Sequence, residues 1–509
     1  MTTDRPTAIQ PPGPIDVDRL TMADIRSGAL RDRPVTVLGL ARSGVSLARF
    51  LVDAGARVTV YDGRPAADLH NAIRRLEGRQ VRLAAGPDVD PAGTWAGAAL
   101  VTTSPSINPD YPTTEPRLRD ALRALVDTRA SGDRALPALV SEADLFLRLC
   151  PAATIGVTGT KGKTTTASLI AAVLATDVSH PVALGGNIGI PLIERLPELT
   201  PDHRVVIELS ELQLPTLSRG TTLAVYTNVT SDHLDRHGSL EGYRAAKRRL
   251  AELVDPDGAL ILNADDPVVA AYATDARARV VTYRLGPPLA GGVGLMDGQI
   301  VADGGVEVMP TSELSVPGRH NVSNALAAVA TALEFDVAPT AIRRAAAAFR
   351  GVEHRLEEVA VIDGVRFVND SQGTQPDAVI AALRAFDGPI VLIAGGRDKG
   401  VDLSDLGPVV AERAAAAVLI GESGPDLEGR FRAEGLVRTE RGGTLEEAVR
   451  IADAIARDAL AAGAPGPATV LLSPAAASFD MFVDYAARGR AFKEAVADIA
   501  AARREGRTR

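Results

Sequence analysis

The stretch Thr154-Ile-Gly-Val-Thr-Gly-Thr-Lys-Gly-Lys163-Thr164 decides how this chain is read. Thr154–Thr158 has the apolar, β-branched character of a short buried strand, and the run from Lys163 to Ala175 reads as a helix. Strand, glycine-rich loop and helix in that order bring backbone N–H groups and a helix N-terminus to one point, which suits a polyphosphate. Lys163 would then bridge the terminal phosphates, and Thr164 would ligate Mg²⁺. The strict phosphate-loop spacing is not met, because five residues rather than four separate Gly156 from Gly162.

Upstream, Pro34–Gly39 reads as a strand entering a glycine turn, followed by a helical pattern through Leu47 and Phe50. A second strand, Arg57–Tyr61, ends at Asp62, which makes a βαβ opening. A third strand, Ala98–Thr102, runs into Ser104-Pro105. Downstream, strands at Val365–Val368, Pro389–Ile393, Ala417–Ile420 and Thr469–Leu472 alternate with helices, as in a parallel sheet. The 509 residues exceed what one core supports, and three domains are expected. The prediction is an α/β chain: a flexible tail (1–33), a Rossmann-like domain (34–149), a central phosphate-loop domain (150–350) and a second Rossmann-like domain (351–509).

A net charge of -9 leaves no basic excess for nucleic acid. Cys150, the one cysteine, excludes an intramolecular disulfide and reads as an inert buried thiol. The first 33 residues contain no apolar segment of signal-peptide type, and the longest apolar stretch, near Ala167–Ala175, is too short to span a bilayer. A cytoplasmic enzyme with no membrane partner is expected.

Of the 55 basic residues only five are lysines: Lys161, Lys163, Lys247, Lys399 and Lys493. A chain that uses arginine for ordinary positive charge makes each lysine a candidate for chemistry that a guanidinium cannot do. Lys161 and Lys493 read equally well as chance survivals. Lys247 differs, because helical spacing over Tyr243–Val254 puts it within the stripe of Tyr243, Ala246, Leu250 and Val254. It is either a snorkelling stem or an amine of lowered pKa that takes up CO₂ as a carbamate, a carboxylate-like metal ligand. Glu208 ends the apolar run Val205-Val-Ile, where a carboxylate is costly unless paired or metal-bound. The segment Thr227–His237 is dense in further candidate ligands, His233 among them.

Gly159–Thr164, Gly185-Gly-Asn-Ile-Gly189, Glu208-Leu-Ser-Glu-Leu-Gln213, Asn228-Val-Thr-Ser-Asp-His233, Tyr243-Arg-Ala-Ala-Lys247, Gly318–Asn324 and His354-Arg-Leu-Glu357, in this order, resemble the Mur ligases. Asn369–Thr374, Gly395–Lys399 and Leu472–Ser478 fit the same family, so the resemblance runs from Val35 to Phe492. It implies ATP and two Mg²⁺ ions, with Thr164, Glu208, His233 and carbamylated Lys247 as ligands. It assigns ATP contacts to Gly159, Thr160, Lys161, Gly162, Lys163, Thr164, Thr165, Asn321, Asn324, Arg355 and Asp370. Within the family, Gly39-Leu-Ala-Arg-Ser-Gly44 with Asp62-Gly-Arg64 and Ser104 resembles the UDP-binding domain of glutamate-adding members. That resemblance implies a UDP-substrate site of Ala41, Arg42, Ser43, Asp62, Arg64, Ser104 and Asn187, and an amino-acid site of Thr374, Lys399, Ser478 and Tyr485. The implied substrates are UDP-N-acetylmuramoyl-L-alanine, D-glutamate and ATP, and the implied enzyme is a monomer in peptidoglycan precursor synthesis. Lys163, Lys247, His233 and His354 are its candidate catalytic residues, His354 as general base.

Three departures stand out. Ala41 replaces the second glycine of a dinucleotide fingerprint, Ser106 stands where the family has glycine, and Gln372 stands where many glutamate-adding members have lysine. Arg397 is the nearest motif cation to replace that lost charge. A nicotinamide oxidoreductase is the first rival reading, but it leaves the phosphate loop and Lys247 unexplained. A silent nucleotide-binding scaffold is the second.

Overall fold

The computed structural model describes residues 13–188, 191–231, 234–316, 318–397 and 403–508. The chain divides into two units, Met1–Phe349 and Arg350–Arg509. The first holds two sheets and the second holds one.

The first sheet consists of β1 (Pro34–Leu38), β2 (Arg57–Asp62), β3 (Arg82–Ala85), β4 (Leu100–Thr103) and β5 (Ala138–Ser141), in the order 3-2-1-4-5. All its pairings are parallel, so the loops after β1, β2 and β4 emerge at one edge. The strand order reverses between β1 and β4, and such a switch point opens a crevice at the carboxyl ends of the strands.

The expected tail is corrected from Ile15 onward. Ile15, Val17, Leu20, Met22, Ile25 and Leu30 are buried, and the Ile15 N–H bonds to the Ala99 carbonyl at 2.9 Å. A short helix, α1 (Met22–Arg26), starts at a capping box in which Thr21 and Asp24 satisfy each other's backbone N–H groups. The polar composition of 1–33 conceals these few apolar anchors.

The second sheet is β6 (Ala153–Thr158), β7 (Val182–Gly186), β8 (Arg204–Glu208), β9 (Leu223–Tyr226), β10 (Ala259–Asn263), β11 (Arg279–Tyr283), β12 (Val293–Met296), β13 (Gln299–Ala302) and β14 (Val306–Pro310). Its order is 14-13-12-11-10-9-6-8-7, and β12–β14 form antiparallel pairs. From its second residue β6 is wholly buried between β8 and β9. Helix α2 (Arg42–Asp53) follows β1, and α3 (Lys163–Leu174) follows β6. The apolar body of α3 packs against α5 (Arg319–Leu333), and α4 (Leu240–Leu253) precedes β10.

In the second unit β15 (Glu357–Ile362), β16 (Val365–Asn369), β17 (Ile390–Gly395), β18 (Ala414–Ile420), β19 (Thr439–Arg441) and β20 (Ala468–Leu472) form a sheet of order 15-16-20-17-18-19. Only the β15–β16 pair is antiparallel. Helix α6 (Tyr485–Thr508) follows β20 and packs Phe492, Val496 and Ile499 into the core.

Candidate active site

The loop after β6 is held by the loop after β9. The Thr160 N–H donates to the Asn228 carbonyl at 2.7 Å, and the Lys161 N–H donates to Asn228 Oδ1 at 2.9 Å. The Lys161 carbonyl accepts from Thr227 Oγ1 at 2.7 Å and from Asn228 Nδ2 at 3.0 Å. Close approach makes two glycines obligatory. A β-carbon on Gly159 would fall 1.9 Å from Thr227 Oγ1, and one on Gly162, at φ 84°, would fall 2.7 Å from Asn324 Oδ1. Gly162 thereby brings Asn324, and through its 3.1 Å bond Asn321, from the start of α5 to the head of α3. Thr164 is buried in the first turn of α3, next to the partly buried Thr165. The Lys163 Nζ folds back onto the carbonyls of Gly159 at 3.0 Å and Thr160 at 2.8 Å.

Lys247 is wholly buried on α4, with Tyr243, Ala246, Leu250 and Ala251 around it. Its Nζ donates to the Gly159 carbonyl at 2.9 Å and lies 5.5 Å from the Tyr243 ring centroid. Tyr243 in turn bonds Thr160 Oγ1 at 2.9 Å. The helix face thus carries its lysine to the underside of the phosphate loop.

Glu208, at the end of β8, is 2% exposed. Its Oε1 accepts from Asn187 Nδ2 at 2.7 Å, while Oε2 is buried with no hydrogen-bond partner. A buried carboxylate oxygen left bare is costly, and a cation is the ligand that would relieve it. A hard divalent cation such as Mg²⁺ fits that bare Glu208 oxygen. Among the described residues no group of three or more His, Cys, Asp or Glu side chains is placed to hold a metal ion. His233 lies outside the described residues.

At the edge of the first sheet Ala41 precedes the first turn of α2, which carries Arg42 and Ser43. Asp62 Oδ2 accepts the Leu40 N–H at 2.8 Å, and Arg64 grips both carboxylate oxygens at 2.9 and 2.8 Å. Burial pushes this carboxyl up, but the bonds from Arg64 and Leu40 outweigh it and hold it below the usual range. Ser104 is buried beside Gly39 and Gly44, and its Oγ has no hydrogen-bond partner.

In the second unit the loops after β16 and β20 meet over α6. Asp370 is buried and accepts from Ser473 Oγ at 2.6 Å and from the Leu356 N–H at 3.2 Å. Burial pushes its carboxyl up to about 6. Ser478 is buried after β20, Tyr485 begins α6, and the Thr374 N–H bonds the Gln372 carbonyl at 2.7 Å. Lys399 lies outside the described residues.

His354, the candidate general base, sits in a close-packed setting. The ring is 4% exposed, its Nδ1 lies 2.9 Å from Asn369 Nδ2, and it packs so closely on Gly489 that a β-carbon there would come within 2.2 Å of Nδ1. Burial lowers its basicity further, against the opposing pull of Glu353 and Glu357. A base must reach the proton it removes, and the described contacts of His354 brace its own unit. Arg397, the expected substitute for the missing lysine charge, is paired with Glu422 at 3.1 Å on the surface.

Known proteins resemble the chain in both parts. The Mur ligase middle domain matches residues 157–332, and the Mur ligase glutamate ligase domain matches residues 354–476. A UDP-N-acetylmuramoylalanine–D-glutamate ligase from Acetivibrio thermocellus is 35% identical over 486 residues, covering 93% of this chain and 98% of the relative. One of the same name from Symbiobacterium thermophilum is 38% identical over 476 residues, covering 92% of this chain and 99% of the relative. The chain belongs to the Mur ligase family. Among solved structures, UDP-N-acetylmuramate–alanine ligase from Thermotoga maritima covers 91% of this chain and 99% of its own, at 18% identity and a TM-score of 0.53, a likeness of fold.

As a Mur ligase the protein is an ATP-dependent, ADP-forming enzyme. Its described residues contain no helix long and apolar enough to cross a membrane. In this Mur ligase the structure gathers Gly159–Thr164, Asn321, Asn324 and Lys247 around one loop, and it pairs Asn187 with Glu208. Sequence reasoning missed Arg488, which is wholly buried and donates to the carbonyls of Ser371 and Ala476, tying the loops after β16 and β20 together. Burial pulls its guanidinium down to about 10. The available signal was the one that marked Lys247: Arg488 falls in helical register with Phe492, Val496 and Ile499.

Proposed function

We propose that this enzyme joins D-glutamate to UDP-N-acetylmuramoyl-L-alanine, in the cytoplasm and as a monomer, in peptidoglycan precursor synthesis. The observation that carries the ligase chemistry is the phosphate loop locked by Thr227 and Asn228 above the buried Lys247. The printed names of the relatives support the two substrates. ATP transfers its terminal phosphoryl group to the alanyl carboxylate, giving an acyl phosphate and ADP. The glutamate amine then attacks the acyl carbon, and phosphate leaves from the tetrahedral intermediate. Such phosphoryl transfer asks for positioning and charge stabilisation rather than covalent help from the protein.

Lys163 and the loop N–H groups would hold the terminal phosphates, with Asn321, Asn324, Arg355 and Asp370 on the rest of the nucleotide. Thr164 and Glu208 would hold one Mg²⁺, and His233 with Lys247 a second. Magnesium, when bound, neutralises charge on the transferring group. For Lys247 to serve as a ligand its neutral Nζ attacks CO₂, forming an N–C bond and losing one proton to give a carbamate. Arg42, Ser43, Arg64 and Ser104 would bind the UDP portion beside Ala41, with Asp62 bracing the turn and Asn187 nearer the reacting end. Thr374, Lys399, Ser478 and Tyr485 would hold glutamate, Lys399 through its distal carboxylate.

An ADP-release assay with UDP-N-acetylmuramoyl-L-alanine and a panel of amino acids tests the reading. D-Glutamate should be the fastest acceptor. Faster coupling of L-glutamate, glycine or L-alanine would overturn the acceptor while leaving the ligase chemistry intact.

A further inference from the structure

The turn that carries Arg355 holds two residues in the left-handed region, His354 at φ 64° and Leu356 at φ 45°. A side chain crowds the backbone there, and such a turn persists only where its surroundings over-determine it. Several groups do so. Glu357 Oε2 accepts the His354 N–H at 2.9 Å and Asn369 Nδ2 at 3.0 Å. The Leu356 N–H is held by Asp370, and the His354 carbonyl accepts the Gln372 N–H at 3.0 Å.

The remaining oxygen of Glu357 belongs to a lysine. Lys493 lies on α6 one helical turn beyond Gly489, the residue on which the His354 ring rests. Its Nζ reaches Glu353 Oε1 at 2.7 Å and Glu357 Oε1 at 3.0 Å. One carboxylate precedes the strained turn and the other follows it, so a single ammonium pins both ends. Without that charge the two carboxylates repel, and the ends of the turn are pushed apart. Lys493 and Glu357 are 31% and 21% exposed, so water screens the bridge only in part. The sequence pattern leaves open whether Lys493 is a chance survival, and its two ion pairs give it a place in the turn.

We infer that Lys493 is a positioning residue for the ligase reaction. Acting through Glu353 and Glu357, it fixes the His354–Leu356 turn and hence how Arg355 is presented to the nucleotide. The inference rests on the proposed assignment of Arg355 to ATP.

The test uses the full chain and compares Lys493→Met, Lys493→Arg and Arg355→Ala by kcat, by KM for each substrate, and by amide hydrogen exchange over residues 353–357. Lys493→Met should raise KM for ATP by about tenfold, leave kcat within about threefold and leave the other two KM values unchanged. It should also speed exchange in the turn, and Lys493→Arg should recover most of both effects. Should Lys493→Met fold poorly, Glu353→Gln removes one arm from an exposed side chain and should raise KM for ATP about twofold at unchanged Tm. Unchanged KM for ATP in Lys493→Met, with Arg355→Ala impaired, overturns the inference and spares the nucleotide assignment. Equal losses in kcat and in every KM also overturn it, because they mark a merely structural residue. If Arg355→Ala leaves KM for ATP unchanged, the nucleotide assignment has failed and the inference falls with it.

Discussion

Asn187 donates its side-chain amide to one oxygen of Glu208 at 2.7 Å, and the other oxygen is buried without a hydrogen-bond partner. Half of this carboxylate is therefore satisfied by protein and half is not. Glu208→Gln removes a buried charge while keeping the shape. Activity should fall by at least about 100-fold, roughly 2.7 kcal/mol of transition-state stabilisation. In Mg²⁺-free buffer Tm should hold or rise, because the uncompensated charge is gone. A clear drop in Tm without Mg²⁺, or retained activity, would mean that Glu208 serves the fold rather than a cation.

Lys247→Ala should abolish nearly all activity, and small carboxylic acids should restore part of it by standing in for the carbamate. The site admits such a rescue because the lysine stem is fully buried beneath the loop it serves. Incorporation of ¹³CO₂, followed by NMR, reads the modification directly. Full activity of the variant, or no label in an active enzyme, refutes the carbamate.

Asp370 should make the second unit less stable as pH rises. Its carboxyl moves from the ordinary 3.8 to about 6 on folding, so the folded state binds the proton more tightly. The associated stability is complete below about pH 4 and is lost as pH climbs through 6, up to about 3 kcal/mol. Asp370→Asn should flatten the fall of Tm between pH 4 and pH 7. An unchanged slope would show that the carboxyl titrates normally.

Gln372→Lys should change kcat/KM by less than about tenfold. Arg397 pairs with Glu422 on the surface, and Arg488, bonded to the Ser371 carbonyl, holds a positive charge beneath this loop. A gain above about 100-fold would show instead that the natural enzyme lacks a charge it needs.

What could be read from the sequence was local or periodic. Lys163 and Thr164 lie within one loop motif, and the burial of Lys247 follows from its place in a helical stripe. Asp62 was legible as the end of a strand, but not as the acceptor that braces the Leu40 N–H. The Lys493–Glu353 pair joins residues 140 apart, and no periodicity connects them. The anchors from Ile15 to Leu30 recur at irregular intervals among polar residues, so no moment marks them as buried. Arg488 has the right spacing, but arginine is so common in this chain that its residue type gives no signal.

The contact between His354 and Gly489 has a consequence for how the protein can change over evolutionary time. With 2.2 Å between the imidazole nitrogen and the place a β-carbon would occupy, alanine at 489 forces the histidine ring at 354 to move. The two positions should behave as one heritable character. Descendants that enlarge residue 489 should be those that first shrank residue 354, and a library varying both together should recover pairs that neither position yields alone.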